Sequence, residues 1–274
     1  MKKHTCLINN KHFLFSKKMG QNFLVDLNVA QQIVKLVKPN NYDLVIEVGP
    51  GNGALTQYLV KTSNKMIAIE LDKRLTESLR KQFNQYKNLE IINDDILNVS
   101  LSNIAQNYQN VLLISNLPYS ISTPMLLHFL NQNTINVFYC MLQKELVDRL
   151  IAKPSHKTYG AISVLMQYYA TINKIMNVDA QTFFPSPKIS SNFILIKKHD
   201  DSKRFDVKWS KFIQQSFRFK RKMLLNNLKS NFDTLLLLKT FKKFNINPNV
   251  RAEQLSATQL FQLYECLSKN DATH

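Results

Sequence analysis

Asn116-Leu117-Pro118-Tyr119 puts an amide, a fixed turn and an aromatic ring directly after the apolar run Val111-Leu112-Leu113-Ile114-Ser115. An exocyclic amine on a nucleobase is a poor nucleophile, because its lone pair is delocalised into the ring. A site that alkylates such an amine must accept its protons with fixed acceptors and stabilise the positive charge that develops. The side-chain oxygen of Asn116 and the main-chain carbonyl of Leu117 can accept. Pro118 rigidifies the turn. Tyr119 can stack on a base and offer a π face to developing charge. An ordinary Asn-x-Pro turn uses the same residue types, so the tetrapeptide takes its meaning from its surroundings.

Those surroundings are informative. The chain has five glycines in 274 residues, and three of them fall in Gly49-Pro50-Gly51-Asn52-Gly53. Glycine serves where backbone must turn sharply or approach a ligand closely. Leu44–Val48 before the cluster reads as a buried strand, and Ala54–Val60 after it as a helix. Strand, glycine turn and helix open a nucleotide-binding βαβ unit. Gly49-x-Gly51-x-x-Ala54 also satisfies a dinucleotide fingerprint, so NAD and S-adenosylmethionine both fit here. Glu70 ends the next strand, where a carboxylate accepts from ribose hydroxyls. Asp95 follows the third strand and can accept from an adenine amine, with Asp94 as its rival. Each acid alone could be a solvated strand end. As a series they lie where such sheets bind ligands, beyond the carboxyl ends of the strands.

The elements that position these residues are legible from periodicity. Asn28–Val37 reads as an amphipathic helix through Val29, Ile33, Val34 and Val37. Strands are expected at 44–48, 65–70, 89–93, 111–115 and 137–142. Helices are expected at 72–86, 124–130 and 144–151. This alternation implies an α/β fold, a mainly parallel sheet with helices on both faces. The alternation weakens after Gly160. Ile162–Tyr169 reads as helix and Ile189–Ile196 as a late, antiparallel strand. Asp200-Asp201-Ser202 reads as a linker, and from Trp209 onward the pattern is helical, a small all-α domain.

The formal charge is +17 and the sequence pI about 9.7, which favours a polyanionic partner. From Lys188 to the end, 17 Lys and Arg stand against 7 Asp and Glu. Cys6, Cys140 and Cys266 are scattered without metal-ligand spacing, so reduced thiols in the cytoplasm and no bound metal are expected. No stretch is long and apolar enough to read as a membrane span. Residues 1–16 read as a basic, solvated tail rather than a signal or transit peptide.

Asn116-Leu117-Pro118-Tyr119 resembles motif IV of N6-adenine methyltransferases, in particular the rRNA adenine dimethyltransferase family of KsgA/RsmA and Erm. Further segments resemble that family in order. They are Lys18-Met19-Gly20-Gln21-Asn22-Phe23-Leu24, Glu47-Val48-Gly49-Pro50-Gly51-Asn52-Gly53, Met141-Leu142-Gln143-Lys144-Glu145, Tyr159-Gly160, Phe183-Phe184-Pro185-Ser186-Pro187-Lys188-Ile189-Ser190-Ser191 and Arg251-Ala252-Glu253-Gln254-Leu255-Ser256. Leu117 and the run Phe217-Arg218-Phe219-Lys220-Arg221-Lys222 resemble the KsgA side more than Erm.

The resemblance implies a Rossmann-like class I methyltransferase domain over 17–200, a helical RNA-binding domain over 201–274, and a basic extension over 1–16. It implies S-adenosylmethionine as cofactor. Asn22 and Leu24 would close over it, Gly49 and Gly51 would let backbone approach it, and Glu70, Asp95 and Asn116 would bind it. Asn116 and Leu117 would orient the target N6, with Tyr119 stacked on the base and Phe183 closing its other face; Phe184 is the rival for that role. Arg218, Lys220, Arg221 and Lys222 would grip RNA phosphates. The implied reaction is dimethylation of adenine N6 on two adjacent adenosines near the 3′ end of small-subunit rRNA, by a monomer acting on an immature subunit. The alternatives are an Erm-type enzyme on large-subunit rRNA, an NAD-dependent dehydrogenase, and a non-catalytic assembly factor.

Overall fold

The computed structural model describes residues 5–8, 11–14, 21–199 and 204–271. Lys18, Met19 and Gly20 of the N-terminal motif, and the linker Asp200-Asp201-Ser202, lie outside the described residues. Two compact units divide the chain: Met1–Lys144 with Asn173–Asp200, and Glu145–Ile172 with Asp201–His274.

The first unit is built on a seven-stranded sheet. Its strands are β4 (Leu44–Val48), β5 (Met66–Glu70), β6 (Leu89–Asn93), β7 (Val111–Asn116), β8 (Val137–Gln143), β9 (Ala170–Val178) and β11 (Ser191–Lys198). Their order is β6-β5-β4-β7-β8-β11-β9. From β6 to β8 all neighbours run parallel, and β11 runs antiparallel to β8. The chain builds outward from β4 on one side through β5 and β6, then crosses back to β7. The sheet's switch point therefore lies between β4 and β7, and a crevice opens at their carboxyl ends. Leu44–Val48 and Val111–Ser115 are buried throughout, as strands covered on both faces must be.

The helices cover this sheet for local reasons. Asp26 caps α1 (Leu27–Val37) by accepting from the amides of Asn28 and Val29. Ala30, Ile33, Val34 and Val37 form its buried stripe, and Lys38 and Pro39 end it. Gly53, at φ 81°, brings the loop after β4 so close to Phe83 that a Cβ would lie 2.9 Å from its ring. The remaining helices of this unit are α2 (Thr56–Thr62), α3 (Lys73–Gln82), α4 (Leu101–Ala105) and α5 (Ser122–Leu130).

Several features depart from the expectations. Thr5–Ile8 (β1) and Lys11–Leu14 (β2) pair antiparallel, where a solvated tail is expected. Threonine, isoleucine and phenylalanine in these stretches favour paired strands over coil. Phe23–Leu24 (β3) pairs antiparallel with Phe183–Phe184 (β10), a contact of two-residue segments that no periodicity announces. β9 is a mostly exposed edge strand, so it lacks the apolar run that marks the central strands.

The second unit holds α6 (Lys144–Leu150) from its second residue on, α7 (Ala161–Tyr169), α8 (Val207–Ser216), α9 (Leu224–Leu228), α10 (Thr234–Lys243) and α11 (Ala257–Asp271). The expected boundary at residue 200 needs correction, because Glu145–Ile172 belongs with the later helices. The reason is an aromatic core. Tyr168 stands 5.4 Å from buried Trp209 and 4.4 Å from Phe261, ring centre to ring centre. Tyr159 donates to the Leu255 carbonyl at 3.1 Å, and the Tyr169 hydroxyl accepts from the Asp206 amide at 2.9 Å.

Candidate functional site

The crevice at the switch point is a cavity of about 200 Å³. Asn22, Leu24, Gly49, Gly51, Glu70, Asp95 and Asn116, all expected at a cofactor, line it together. They come from the N-terminal segment and from the ends of β4, β5, β6 and β7. Ser115 ties the tips of β7 and β4 by donating its hydroxyl to the Val48 carbonyl at 2.6 Å. Gly51 holds φ 59°, and a Cβ there would lie 2.9 Å from the Phe23 ring. A side chain at Gly51 would therefore collide with the segment that covers the cavity.

Glu70 is nearly buried and already organised. One carboxylate oxygen accepts from the Gly51 amide at 3.0 Å and the other from the Asp72 amide at 2.9 Å. Burial raises its pKa, against the pull of those amides. Glu47, two residues before Gly49, is fully buried. Burial pushes its carboxyl up to about 8, opposed by the Thr56 hydroxyl at 2.7 Å and reinforced by the charge of Glu70. Burial thus favours the neutral form of Glu47 far more than in an exposed carboxyl. Burial also acts to raise the Asp72 pKa, but hydrogen bonds from Arg74 and Gln21 hold it below its ordinary value. Arg74 clamps Asp72 through Nε at 3.0 Å and an Nη at 2.6 Å.

The segment 21–24 is fastened over the cavity from several sides. Gln21 donates to Asp72 at 3.2 Å, Asn116 Nδ2 donates to the Asn22 carbonyl at 3.1 Å, and Asn52 donates to the Leu24 carbonyl at 3.5 Å. Of the two ends of the Asn116 side-chain amide only the nitrogen can donate to a carbonyl, so the Asn22 contact fixes which way that amide points. Its oxygen is then an acceptor of set orientation at the cavity wall.

Leu71 and Ile96 also line the cavity, each directly after an acid, Glu70 and Asp95. They supply the apolar walls that a flat heterocycle needs, and the signal for them was their position next to the strand-end acids. Asp94 lines the cavity too, and its side chain accepts from the Asp95 amide at 2.7 Å. Asp95 is the more buried of the two. The residue set fits an adenosine-type cofactor: glycine backbone, a carboxyl at the end of β5, an acid after β6 and apolar walls.

The residues expected to handle a base are less uniform. Pro118 lines the cavity, while Leu117 is buried beneath it. Tyr119 is half-buried and its hydroxyl shares a hydrogen bond with Ser191 Oγ at 2.9 Å. Burial raises its pKa, and that bond opposes the shift. Phe183 is 2% exposed and packs in the core with Leu24, whereas Phe184 is 36% exposed. Pairing Phe183 opposite Leu24 buries its ring, so the exposed ring at this place is that of Phe184.

In the second unit, Arg218, Lys220, Arg221 and Lys222 are exposed between α8 and α9. Lys220 is engaged: it donates to the Lys157 carbonyl at 2.6 Å and lies 3.8 Å from Glu253. Lys222 and Arg218 flank the Phe219 ring at 4.6 and 5.3 Å from its centre.

Comparison with known proteins agrees with this geometry. The family model described as ribosomal RNA adenine dimethylase matches residues 12–269. The chain is 39% identical over 260 residues to "Ribosomal RNA small subunit methyltransferase A" of Mycoplasma genitalium, covering 94% of this chain and 99% of that protein. It is 37% identical over 269 residues to the protein of the same name from Ureaplasma parvum, covering 96% and 97%. In fold it resembles a dimethyladenosine transferase from Plasmodium falciparum, with TM-score 0.78, 22% identity, and 91% and 98% of the two chains covered. The fold of the 23S rRNA methyltransferase ErmE is also similar, with TM-score 0.66, 19% identity, and 90% and 99% covered. With a family match over residues 12–269 and a crevice at the switch point lined by the seven residues expected at a cofactor, this chain belongs to the ribosomal RNA adenine dimethylase family, enzymes that depend on S-adenosylmethionine.

Proposed function

We propose that this protein dimethylates N6 of two adjacent adenosines in the 3′-terminal hairpin loop of small-subunit rRNA, within an immature subunit in the cytoplasm. The observation that carries the reading is the Asn116 side-chain amide, fastened to the Asn22 carbonyl at 3.1 Å in the wall of the cavity. S-adenosylmethionine supplies an electrophilic methyl group when bound. Gly49 and Gly51 admit it by close backbone approach, Glu70 takes its ribose hydroxyls, and Asp95 takes its adenine amine.

The protein's own part in the reaction is positioning and electrostatics. The oxygen of Asn116 and the carbonyl of Leu117 accept from the target amine and orient its lone pair. Tyr119 stacks on one face of the base, and Phe184, rather than Phe183, meets the other. The base must leave its stack to reach this site, which is least costly in a loop. Arg218, Arg221 and Lys222 grip phosphates and set affinity more than sequence choice. The protein acts as a monomer.

The names of the relatives at 37–39% identity favour the small subunit over the large one that ErmE methylates. A dehydrogenase leaves Asn116–Tyr119 without a purpose. The test offers undermethylated small and large subunits together to the purified protein, with the modified bases mapped. Dimethyladenosine at two adjacent 3′-terminal positions is the expected result. Label appearing only in large-subunit rRNA would move the protein to the Erm class.

A further inference from the structure

A cleft in the second unit has Arg218, at the start of the exposed basic run, among its walls. It has a volume of about 830 Å³ and is walled by α8 on one side and α11 on the other. Lys208, Lys211, Gln215 and Arg218 reach it from one face of α8 and its C-terminal turn, spaced three, four and three residues apart. Ser268 reaches it from α11, and Phe232 closes it from the segment after α9. Three of its lining residues are cations and none is acidic. The nearby carboxylate of Asp206 is already committed to the Lys208 amide at 2.7 Å and the Tyr264 hydroxyl at 2.6 Å. Asp206 offsets one of these charges at most, so the three lining cations leave the cleft with a positive balance that favours an anion. Its volume lies within the range of about 300–1,000 Å³ of sites that take small organic groups, too small for a duplex.

We propose that this cleft holds one unpaired nucleotide of the RNA substrate, with its phosphates on Lys208, Lys211 and Arg218 and its base against Phe232. Phe232 is half-buried and set edge-on to Phe212 at 6.0 Å, so its ring is held rather than free to swing. A fixed aromatic beside a row of cations is the combination that recognises single-stranded nucleic acid. Arg218 belongs both to this cleft and to the exposed basic run that follows it, so one RNA strand can pass from one to the other. The proposal rests on the reading of RNA as substrate.

The test uses the full chain, a labelled ten-nucleotide single-stranded RNA, and undermethylated small subunits. The exposed double variant Lys208→Gln/Lys211→Gln should weaken RNA binding about tenfold at 0.1 M salt. It should also lower the salt slope by about 1.4, since each single-strand phosphate contributes about 0.7. Phe232→Leu should weaken binding several-fold with the slope unchanged. For both, KM for subunits should rise while kcat stays within about twofold. Wild-type affinity, slope and KM in both variants would overturn the proposal. So would saturable binding of free adenosine monophosphate lost in the double variant while RNA binding persists, which assigns the cleft to a free nucleotide. Absence of methylation by the wild-type chain, with the RNA arm intact, would instead count against the functional reading alone.

Discussion

Asn116 and Asn22 stand 94 residues apart in the chain, yet the side-chain amide of one donates to the main-chain carbonyl of the other at 3.1 Å. This bond joins the end of β7 to the segment that covers the cofactor crevice. The residue proposed to accept from the target amine is thus also a latch for the cover.

Asn116→Ala is therefore expected to abolish methyl transfer, with kcat down by at least about 10²–10³, the scale of losing one preorganised acceptor. S-adenosylhomocysteine binding should remain measurable by calorimetry but weaken, because the cover loses a fastening. Retained turnover would remove Asn116 from the reaction.

The two adjacent phenylalanines separate by burial. Phe183→Ala should lower stability by about 3–5 kcal/mol in urea unfolding, the cost of emptying a core aromatic site. Phe184→Ala should leave unfolding near that of the wild type and lower kcat/KM for RNA. A stable but inactive Phe183→Leu protein, beside a fully active Phe184→Ala protein, would return the stacking role to Phe183.

Glu47 gives stability a defined pH dependence. Its folded pKa, about 8, lies above the ordinary 4.5, so the folded state binds the proton more tightly. Its contribution is complete below about pH 4.5 and is lost as pH rises through about 8, because the buried carboxylate then goes unprotonated. Glu47→Gln cannot ionise. Its melting temperature should match the wild type near pH 4 and exceed it by a margin that grows up to about pH 8. Parallel melting curves across that range would show that Glu47 does not titrate there.

The basic run should also divide. Arg221→Gln and Lys222→Gln should each weaken RNA binding at low salt and lower the salt slope by roughly one phosphate's worth. Lys220→Gln should change the slope little and lower thermal stability slightly, since that ammonium is already held by the Lys157 carbonyl and Glu253. An equal slope change for all three would mean that the Lys220 contacts give way to phosphate.

Much of the cofactor crevice was readable in the chain because its determinants are local. Strand-end positions of Glu70, Asp95 and Asn116 follow from where apolar runs stop. The glycines report φ values that side chains resist, 59° at Gly51 and 81° at Gly53. Once those runs form a parallel sheet with its switch point at β4 and β7, their ends must converge. Leu71 and Ile96 were legible only as neighbours of those acids, since an apolar residue after a strand looks like any other.

The sequence by itself determined the strand–turn–helix order, the glycine turn and the residues at each strand end, because these depend on backbone preference and hydrophobic period over a few positions. Tertiary structure alone decided which of Phe183 and Phe184 is buried, since register opposite β3 sends neighbouring side chains to different environments. It likewise decided that burial raises the Glu47 pKa, that Lys220 is already engaged, and that Glu145–Ile172 belongs with the C-terminal helices. Each of these depends on which distant groups surround a residue and how much water is excluded, and neither quantity is written in local spacing.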